Sequence, residues 1–334
     1  MIYIETESKD AAFHFSLEEY LLRQYPFGEP VIMIWQTGKC VMLGRNQIAQ
    51  AEVDLAYARQ EGIPVVRRSS GGGAIFTDLG TLLYTMILPA GEYPADVARE
   101  MIAQPVVKAL NEMGIPARIE GRNDILADGK KFSGMAQYIR YGRICTHGSL
   151  LYDADLEMLV RVLSVDAGKI QSKGLRSVRS RVTNVKEYLK DCCSVREFWD
   201  RLKQHIFSGL RIREYTLTEN DRAHIDLIYR ERYGNPSWTF EQSPEFTFQN
   251  SKRFPGGKVE VFLNVDKGFV SSCSIRGDFL GVLPVRALEE LFEQKRFQYQ
   301  DFAGALEGVS LQQYLGSISA AELLSCMFDD YGSK

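Results

Sequence analysis

Four stretches of the 334-residue chain carry side chains that could do chemistry. The first is VVRRSSGGGAIFTDLG, residues 65–80, where an apolar run ends in Arg67 and Arg68 and two serines and three successive glycines follow. Bare residues in a row let backbone N–H groups converge on an anion and let a ligand come close to the main chain. The second is GRNDILADGKKFSG, residues 121–134, with Arg122, Asn123, Asp124, Lys130 and Lys131. An adjacent amide and carboxylate suit ribose hydroxyls or a hydrated Mg²⁺. A lysine opening an alternating strand is a point charge for a phosphoryl group. The third, SKGLRSVRSRVTNV at 172–185, sets Lys173, Arg176, Arg179 and Arg181 within nine residues. Charge-assisted hydrogen bonds of about 1.5–3 kcal/mol each could order it around phosphates. The fourth, THGSLLYD at 146–153, holds His147, the only histidine near these motifs.

Each stretch also has a plainer reading. The glycines could be a flexible connection with a surface arginine pair, Lys130 a solvated hairpin tip, and the basic segment a solvated loop or an RNA contact. His147 on a strand could be a satisfied core residue rather than a general base, and a Cys145–His147 nucleophile would need side chains that touch and do not merely share a face. The glycine run is neither GxxxxGK[ST] nor GxGxxG, and it lies between two strands, so a helix-terminus phosphate site is not implied.

Bulk properties narrow the class. At 45% hydrophobic and 25% charged residues the chain reads as globular, with length for two domains or one large one. A net charge of −3 argues against general nucleic-acid affinity. Six cysteines at 40, 145, 192, 193, 273 and 326 form no CxxC pair, so neither a zinc pattern nor a disulfide framework is expected, and reduced thiols in a cytoplasm are. The N-terminus lacks a signal-peptide pattern, and no apolar run approaches the roughly 20 residues that span a bilayer.

Elements alternate so as to hold these loops. Short strands are expected at IYIE, VIMIWQ, CVMLG, IPVVRR and TLLYTMIL, with several more between 123 and 152 around a turn at Asp128–Gly129. Helices are expected over 10–24 with Asp10 as cap, over 51–62 closed by Gly62, over 95–113, over 153–163 with Asp153 as cap, and after a Ser194–Glu197 capping box. Composition shifts at 233–246, YGNPSWTFEQSPEF, which reads as a linker between a domain at 1–245 and a smaller one at 246–334. Beyond it a hairpin of KVEVFLNV and GFVSSCSI and two or three helices are expected.

In this order and spacing the four motifs resemble the lipoate–protein ligase A family. The family loop, roughly RRxSGGGAV(F/Y)HDxGN, is similar to Arg67 through Thr81; its NDxxxDGxKxSG to Asn123, Asp124, Asp128, Gly129, Lys131, Ser133 and Gly134; its HG(T/S)LL to His147 through Leu151; its KGxxSVRSRVTN to Lys173 through Asn184. The resemblance extends through NPSWTF and KGFVSSCSIRGDF to nearly the whole chain. It implies an α+β protein, a biotin/lipoyl protein ligase-like mixed β-sheet catalytic domain with a small α+β C-terminal accessory domain. It also implies an ATP- and Mg²⁺-dependent enzyme that converts lipoate to lipoyl-adenylate and passes the lipoyl group to a lysine of a lipoyl domain, on a 2-oxoacid dehydrogenase subunit or the glycine-cleavage H protein. A monomer is the family default, and composition adds the expectation of a cytoplasmic protein binding neither nucleic acid nor membrane.

The resemblance makes Lys131 the catalytic residue. Around ATP, adenylate and lipoate it places Arg68, Ser70, Gly71, Gly72, Gly73, Ile75, Phe76, Asp78, Asn123, Asp124, Ser133, Gly134, His147, Gly148, Ser177, Arg179 and Val182, with Asp124 toward Mg²⁺. Three positions depart from the family: Thr77 stands where a histidine is usual, Thr81 and Met135 where asparagines are. Alternatives are a cysteine-dependent octanoyl or lipoyl transferase, for which KKFSGMAQ offers no cysteine, and a non-catalytic lipoate- or adenylate-binding protein. The C-terminal unit is expected to pack on the catalytic domain and to move between steps.

Overall fold

The computed structural model describes residues 1–24, 28–121, 123–163, 181–191, 193–240, 247–266 and 268–328. Strands run in chain order as β1 (Ile2–Ile4), β2 (Val31–Trp35), β3 (Cys40–Leu43), β4 (Val65–Arg67), β5 (Ile75–Thr77), β6 (Thr81–Pro89), β7 (Ala117–Glu120), β8 (Asp124–Ala127), β9 (Lys130–Arg140), β10 (Arg143–Leu151) and β11 (Arg213–Glu214). Between them lie the helices α1 (Ala11–Gln24), α2 (Ala49–Glu52), α3 (Leu55–Gln60), α4 (Ala95–Glu112) and α5 (Leu156–Val162). An eight-stranded sheet takes the order β11-β1-β2-β6-β10-β9-β8-β7, and β4-β3-β5 form a smaller one. In the large sheet β1 lies parallel to β2 and β11 and the other neighbours pair antiparallel. The N-terminal region is therefore built on the expected mixed sheet.

The centre of the large sheet is buried on both faces, and β6 shows the alternation that follows. Leu82, Tyr84, Met86 and Leu88 enter one core, with α4 and the later helix Val195–Phe207. Leu83 and Ile87 enter the other, with α1 and the helix Glu219–Ile228. Thr85 shares the second face, so it looks at α1, where Glu18 lies fully buried. Asp10 Oδ1 accepts the Ala12 N–H at 2.8 Å, capping α1 as expected. The Ser194–Glu197 capping box is formed too.

The helix expected over 51–62 is two, α2 and α3. Val53 is extended between them, and Asp54 caps the second by accepting the Tyr57 N–H at 2.9 Å. The helix expected from 153 is α5, capped by Asp155, whose carboxylate accepts two N–H groups; Asp153 pairs with Lys186 instead. Within the expected linker Pro236–Phe240 is a helical turn, with Thr239 buried, and 241–246 lie outside the described residues.

The C-terminal region contains β12 (Phe248–Phe254), β13 (Gly257–Asp266) and β14 (Phe269–Gly277), an antiparallel sheet with its own core of Val259, Val261, Ile275, Phe292, Phe302 and Leu323. The expected hairpin is β13–β14. Strand β12 was not legible because Gln249, Ser251 and Arg253 face solvent and none of its residues is fully buried. Four short helices follow among the described residues, Arg286–Glu289, Tyr299–Ala305, Leu311–Leu315 and Ala320–Met327. No helix of the described residues is long and apolar enough to cross a membrane.

Candidate active site

Three of the sequence motifs, with the described residues 181–185 of the other, converge because β4 and β5 are joined by the glycine loop, β8 and β9 by the Asp128–Gly129 turn, β10 lies beside β9, and Val182 bridges Lys131. Asp128 and Gly129 have φ of 48° and 78°, as a tight Asp-Gly hairpin demands. Between these strands lies a cavity of about 180 Å³. Phe15, Trp35, Met42, Ile75 and Leu83 give it apolar wall; Arg68, Asn123, Lys131 and His147 give it polar and charged wall. A second cleft shares Asn123, Met135, Ala136 and Leu280 with it and adds Asp96, Arg99, Ser310 and Gln313.

Lys131 reaches the first cavity from the start of β9, its side chain 41% exposed. Its Nζ lies 2.8 Å from Asp124 Oδ1, a charge contact; Asp124 Oδ1 is buried and accepts no hydrogen bond of good geometry. Gly134 makes room for this lysine, since a Cβ there would stand 3.0 Å from Nζ. The lysine's backbone is fixed from the other side. Its N–H donates to the Arg181 carbonyl at 2.7 Å and its carbonyl accepts the Thr183 N–H at 3.0 Å, a parallel bridge with Val182. The end of the basic segment thus attaches directly to the lysine; Lys173, Arg176, Ser177 and Arg179, like Arg122, lie outside the described residues. Asn123 and Met135 hold one another by Met135 N–H to Asn123 O at 2.7 Å and Asn123 Nδ2 to Met135 O at 3.2 Å.

The two arginines part company. Arg67 is fully buried and donates to the carbonyls of Gly44, Arg45, Gln47, Trp238 and Thr239. It binds the 236–240 turn to the 44–47 segment and does not line the cavity. Arg68 does line the cavity, and its guanidinium curls the loop: Nη2 donates to the Gly71 and Gly73 carbonyls at 2.8 and 2.7 Å, Nη1 to Met42 O, and Nε to Ser70 Oγ at 3.0 Å. Burial, with Arg67 adjacent, lowers the Arg68 pKa to about 10, which leaves it charged at neutral pH.

What approaches the bare backbone in this structure is the C-terminal region. The Gly72 N–H donates to Phe279 O at 3.1 Å, and a Cβ on Gly71 would stand 2.6 Å from that same oxygen. Gly72 has φ +90°, and a Cβ on it would meet Leu280 Cδ2 at 3.0 Å. Gly73 is open by comparison, its nearest such neighbour Asp278 Cβ at 3.9 Å. Leu280, which the sequence did not single out, is a wall of both cavities.

Other expected residues are placed unevenly. Ile75, Asn123, Gly134, His147 and Gly148 line the first cavity; Gly148 lies flat under the Tyr84 ring, which a Cβ would strike. Phe76, one residue from Ile75 on β5, points to the opposite face, among Val41, Leu43 and Ala49, and is corrected from cavity wall to core. Asp78 is a bracket: it accepts the Gly80 N–H and the Asp155 N–H, both at 2.8 Å. Ser70 and Ser133 are buried behind the wall, on His147 and Tyr84 respectively. The departure at Thr77 is buried too, its hydroxyl 2.8 Å from that of Thr37. Cys145 is no nucleophile here: burial and the Glu18 charge push its thiol well above the usual range. The five free cysteines described, 40, 145, 193, 273 and 326, are all buried. Missed by sequence reasoning were Phe15, Trp35, Met42 and Leu83, apolar like dozens of core residues and distinguishable only once the sheet is assembled.

Comparison with known proteins gives this geometry its relatives. Residues 10–207 match the lipoyl protein ligase A/B catalytic domain, and 243–327 the bacterial lipoate protein ligase C-terminus. The chain is 36% identical over 332 residues to lipoate-protein ligase LplJ of Bacillus subtilis, covering 98% of this chain and all of that one. Among solved structures it resembles a lipoate-protein ligase A bound with ATP, at 26% identity and TM-score 0.63, over 72% of this chain and 98% of that one. It also resembles the bipartite lipoate protein ligase of Thermoplasma acidophilum, described with its E2 lipoyl domain, at 27% identity and TM-score 0.66, over 74% and 98%.

Proposed function

The chain belongs to the lipoate–protein ligase family, and we infer that it activates lipoate with ATP and passes the lipoyl group to a lysine on a lipoyl domain. It is an enzyme, a ligase that handles lipoate and ATP. The observation that carries the reading of its site is Lys131 and Arg68 on the wall of one cavity whose remaining wall is largely apolar.

Activation brings the lipoate carboxylate against the α-phosphate of ATP, so two anions must meet, and fixed positive charge and N–H dipoles must offset their repulsion. Lys131, held at the mouth of β9 by its bridge to Val182, stands to hydrogen-bond oxygens of both groups as charge develops. The apolar chain of lipoate fits against Phe15, Trp35, Met42, Ile75 and Leu83. The N–H of Gly72, now on Phe279, is a donor that an adenylate phosphate can take over. Asn123 and Asp124 serve the phosphate end. A Mg²⁺ arriving with the nucleotide would be held by Asp124 Oδ1 in place of that oxygen's 2.8 Å contact with Lys131 Nζ, and would supply charge neutralisation there. Ser177, Arg179 and Val182 are assigned to the cover over the adenylate, keeping water from a mixed anhydride. In the transfer step the acceptor amine attacks the acyl carbonyl and AMP leaves, so no protein nucleophile is required. The acceptors are lipoyl domains of 2-oxoacid dehydrogenases or the H protein, and the setting is the cytoplasm, which suits five buried free thiols.

The test is direct. The protein is mixed with lipoate, ATP, Mg²⁺ and an apo lipoyl domain, and the acceptor is weighed by mass spectrometry. A lipoyl mass gain that requires ATP is expected; a gain only from an acylated donor protein, without ATP, would overturn the ligase reading.

A further inference from the structure

One chain of buried hydrogen bonds runs from the apolar cavity wall to the glycine loop, through a residue outside every motif. On one side Trp35 Nε1 donates to Thr85 Oγ1 at 3.0 Å, and Thr85 donates to Glu18 Oε1 at 2.7 Å. On the other Arg68 Nε lies 3.0 Å from Ser70 Oγ, Ser70 Oγ 2.7 Å from His147 Nε2, and His147 Nδ1 3.0 and 3.1 Å from the two Glu18 oxygens. Glu18, Ser70 and Thr85 are 0–1% exposed, His147 7% and Arg68 5%.

The direction of this chain is dictated by chemistry. Indole and guanidinium N–H groups only donate, and an ionised carboxylate only accepts. Arg68 therefore donates to Ser70, and His147 Nδ1 donates to Glu18. With the imidazole in the tautomer that gives its proton from Nδ1, Nε2 accepts and Ser70 donates to His147. Both branches end on Glu18, which fixes the His147 tautomer and, through Ser70, the orientation of the Arg68 guanidinium. That guanidinium is the group holding Gly71 and Gly73 by their carbonyls.

We propose that Glu18 is a positioning residue for nucleotide binding: from helix α1 it sets, through His147 and Ser70, where Arg68 and the glycine loop meet ATP. The proposal rests on the ligase reading above and adds a residue that touches neither substrate. It separates two substrates that share one cavity in Glu18→Gln, whose amide oxygen still accepts from Thr85 and keeps the Trp35 branch of the lipoate wall, while the branch to Arg68 and the loop is disturbed.

Glu18→Gln preserves volume but presents an amide that can donate to Nδ1, which reverses the tautomer, so that Ser70 Oγ accepts from His147 Nε2–H as well as from Arg68 and its own O–H loses the His147 acceptor. The KM for ATP is expected to rise about tenfold, the loss of one charge-assisted hydrogen bond. The lipoate Kd, followed without nucleotide by tryptophan fluorescence, is expected to change less than about threefold. His147→Leu breaks the chain and should raise the ATP KM similarly, whereas His147→Gln, whose amide accepts from Ser70 and donates to Glu18, should recover most of it. The Glu18→Gln/His147→Leu double variant should be no worse than His147→Leu alone, because both act through one chain. An unchanged ATP KM in folded Glu18→Gln, or His147→Gln as impaired as His147→Leu, overturns the proposal. If Glu18→Gln does not fold, the two His147 variants decide alone. Absence of ATP-dependent transfer by the wild-type protein breaks the ligase reading instead, so the two failures are told apart.

Discussion

The carbonyl of Phe279 accepts the N–H of Gly72 at 3.1 Å, so the C-terminal region sits on the backbone donor proposed above for an adenylate phosphate. One N–H cannot serve both acceptors fully. Binding of lipoate and ATP is therefore expected to lift the 279–281 segment, and small-angle scattering should show a changed envelope when both are added. Gly71→Ala should move the free protein the same way, since its Cβ would press within 2.6 Å of that carbonyl. Identical scattering curves with and without adenylate would count against any such movement.

Lys131→Ala should abolish adenylate formation and leave the fold intact. The side chain is 41% exposed, so its removal opens no cavity, and its backbone bridge to Val182 is kept. Loss of a preorganised cationic donor is expected to slow pyrophosphate release by about 10²–10³-fold or more, with an unchanged melting temperature. Undiminished pyrophosphate release in this variant would remove the lysine from its role.

Arg67→Met should act oppositely, harming stability first. Five backbone carbonyls from two distant segments would lose their charged donor inside the protein. A cost of about 3 kcal/mol or more is expected, because buried acceptors are left unpaired. A urea midpoint within error of wild type would refute this account of the residue.

Glu52 gives the protein a pH dependence near neutrality. Burial raises its pKa to about 7; Lys258 opposes the shift and Asp278 and Glu260 add to it. A folded-state pKa above the unfolded value near 4.5 means that the native protein binds the extra proton. The stabilisation is full below the unfolded pKa and is lost as pH rises toward about 7, levelling off above it. Thermal melts from pH 5 to 8 should show wild type losing stability relative to Glu52→Gln as pH rises. Parallel curves for the two proteins would exclude Glu52 as the source.

Much of this was legible in the sequence, for identifiable reasons. The Asp128–Gly129 turn, the Asp10 cap and the Ser194 capping box are local chemistry, and the structure forms all three. Asp153 and Asp155 both precede the same helix, and only tertiary pairing with Lys186 decides that Asp153 is not the cap. The pair Arg67–Arg68 is indistinguishable by type; strand alternation sends one to the core and the other to the cavity. Phe76 was misplaced for the same reason, one step out of phase with Ile75. Glu18 was invisible because a glutamate in a helix reads as solvent-facing, and only the packing of α1 on β6 and β10 makes it a buried acceptor. Leu280 could not be found from any local pattern, since it reaches the cavity from the C-terminal region, beside Phe279 of that region's own core.

The buried cysteines have a chemical consequence for an enzyme of this kind. Lipoate carries a strained cyclic disulfide, and any thiolate within reach could open it by exchange. In Cys40, Cys145 and Cys273 burial pushes the thiol pKa above its ordinary value, so at neutral pH they stay protonated and poor at such attack. Those three thiols are thereby disfavoured as nucleophiles toward the sulfur ring of the proposed substrate.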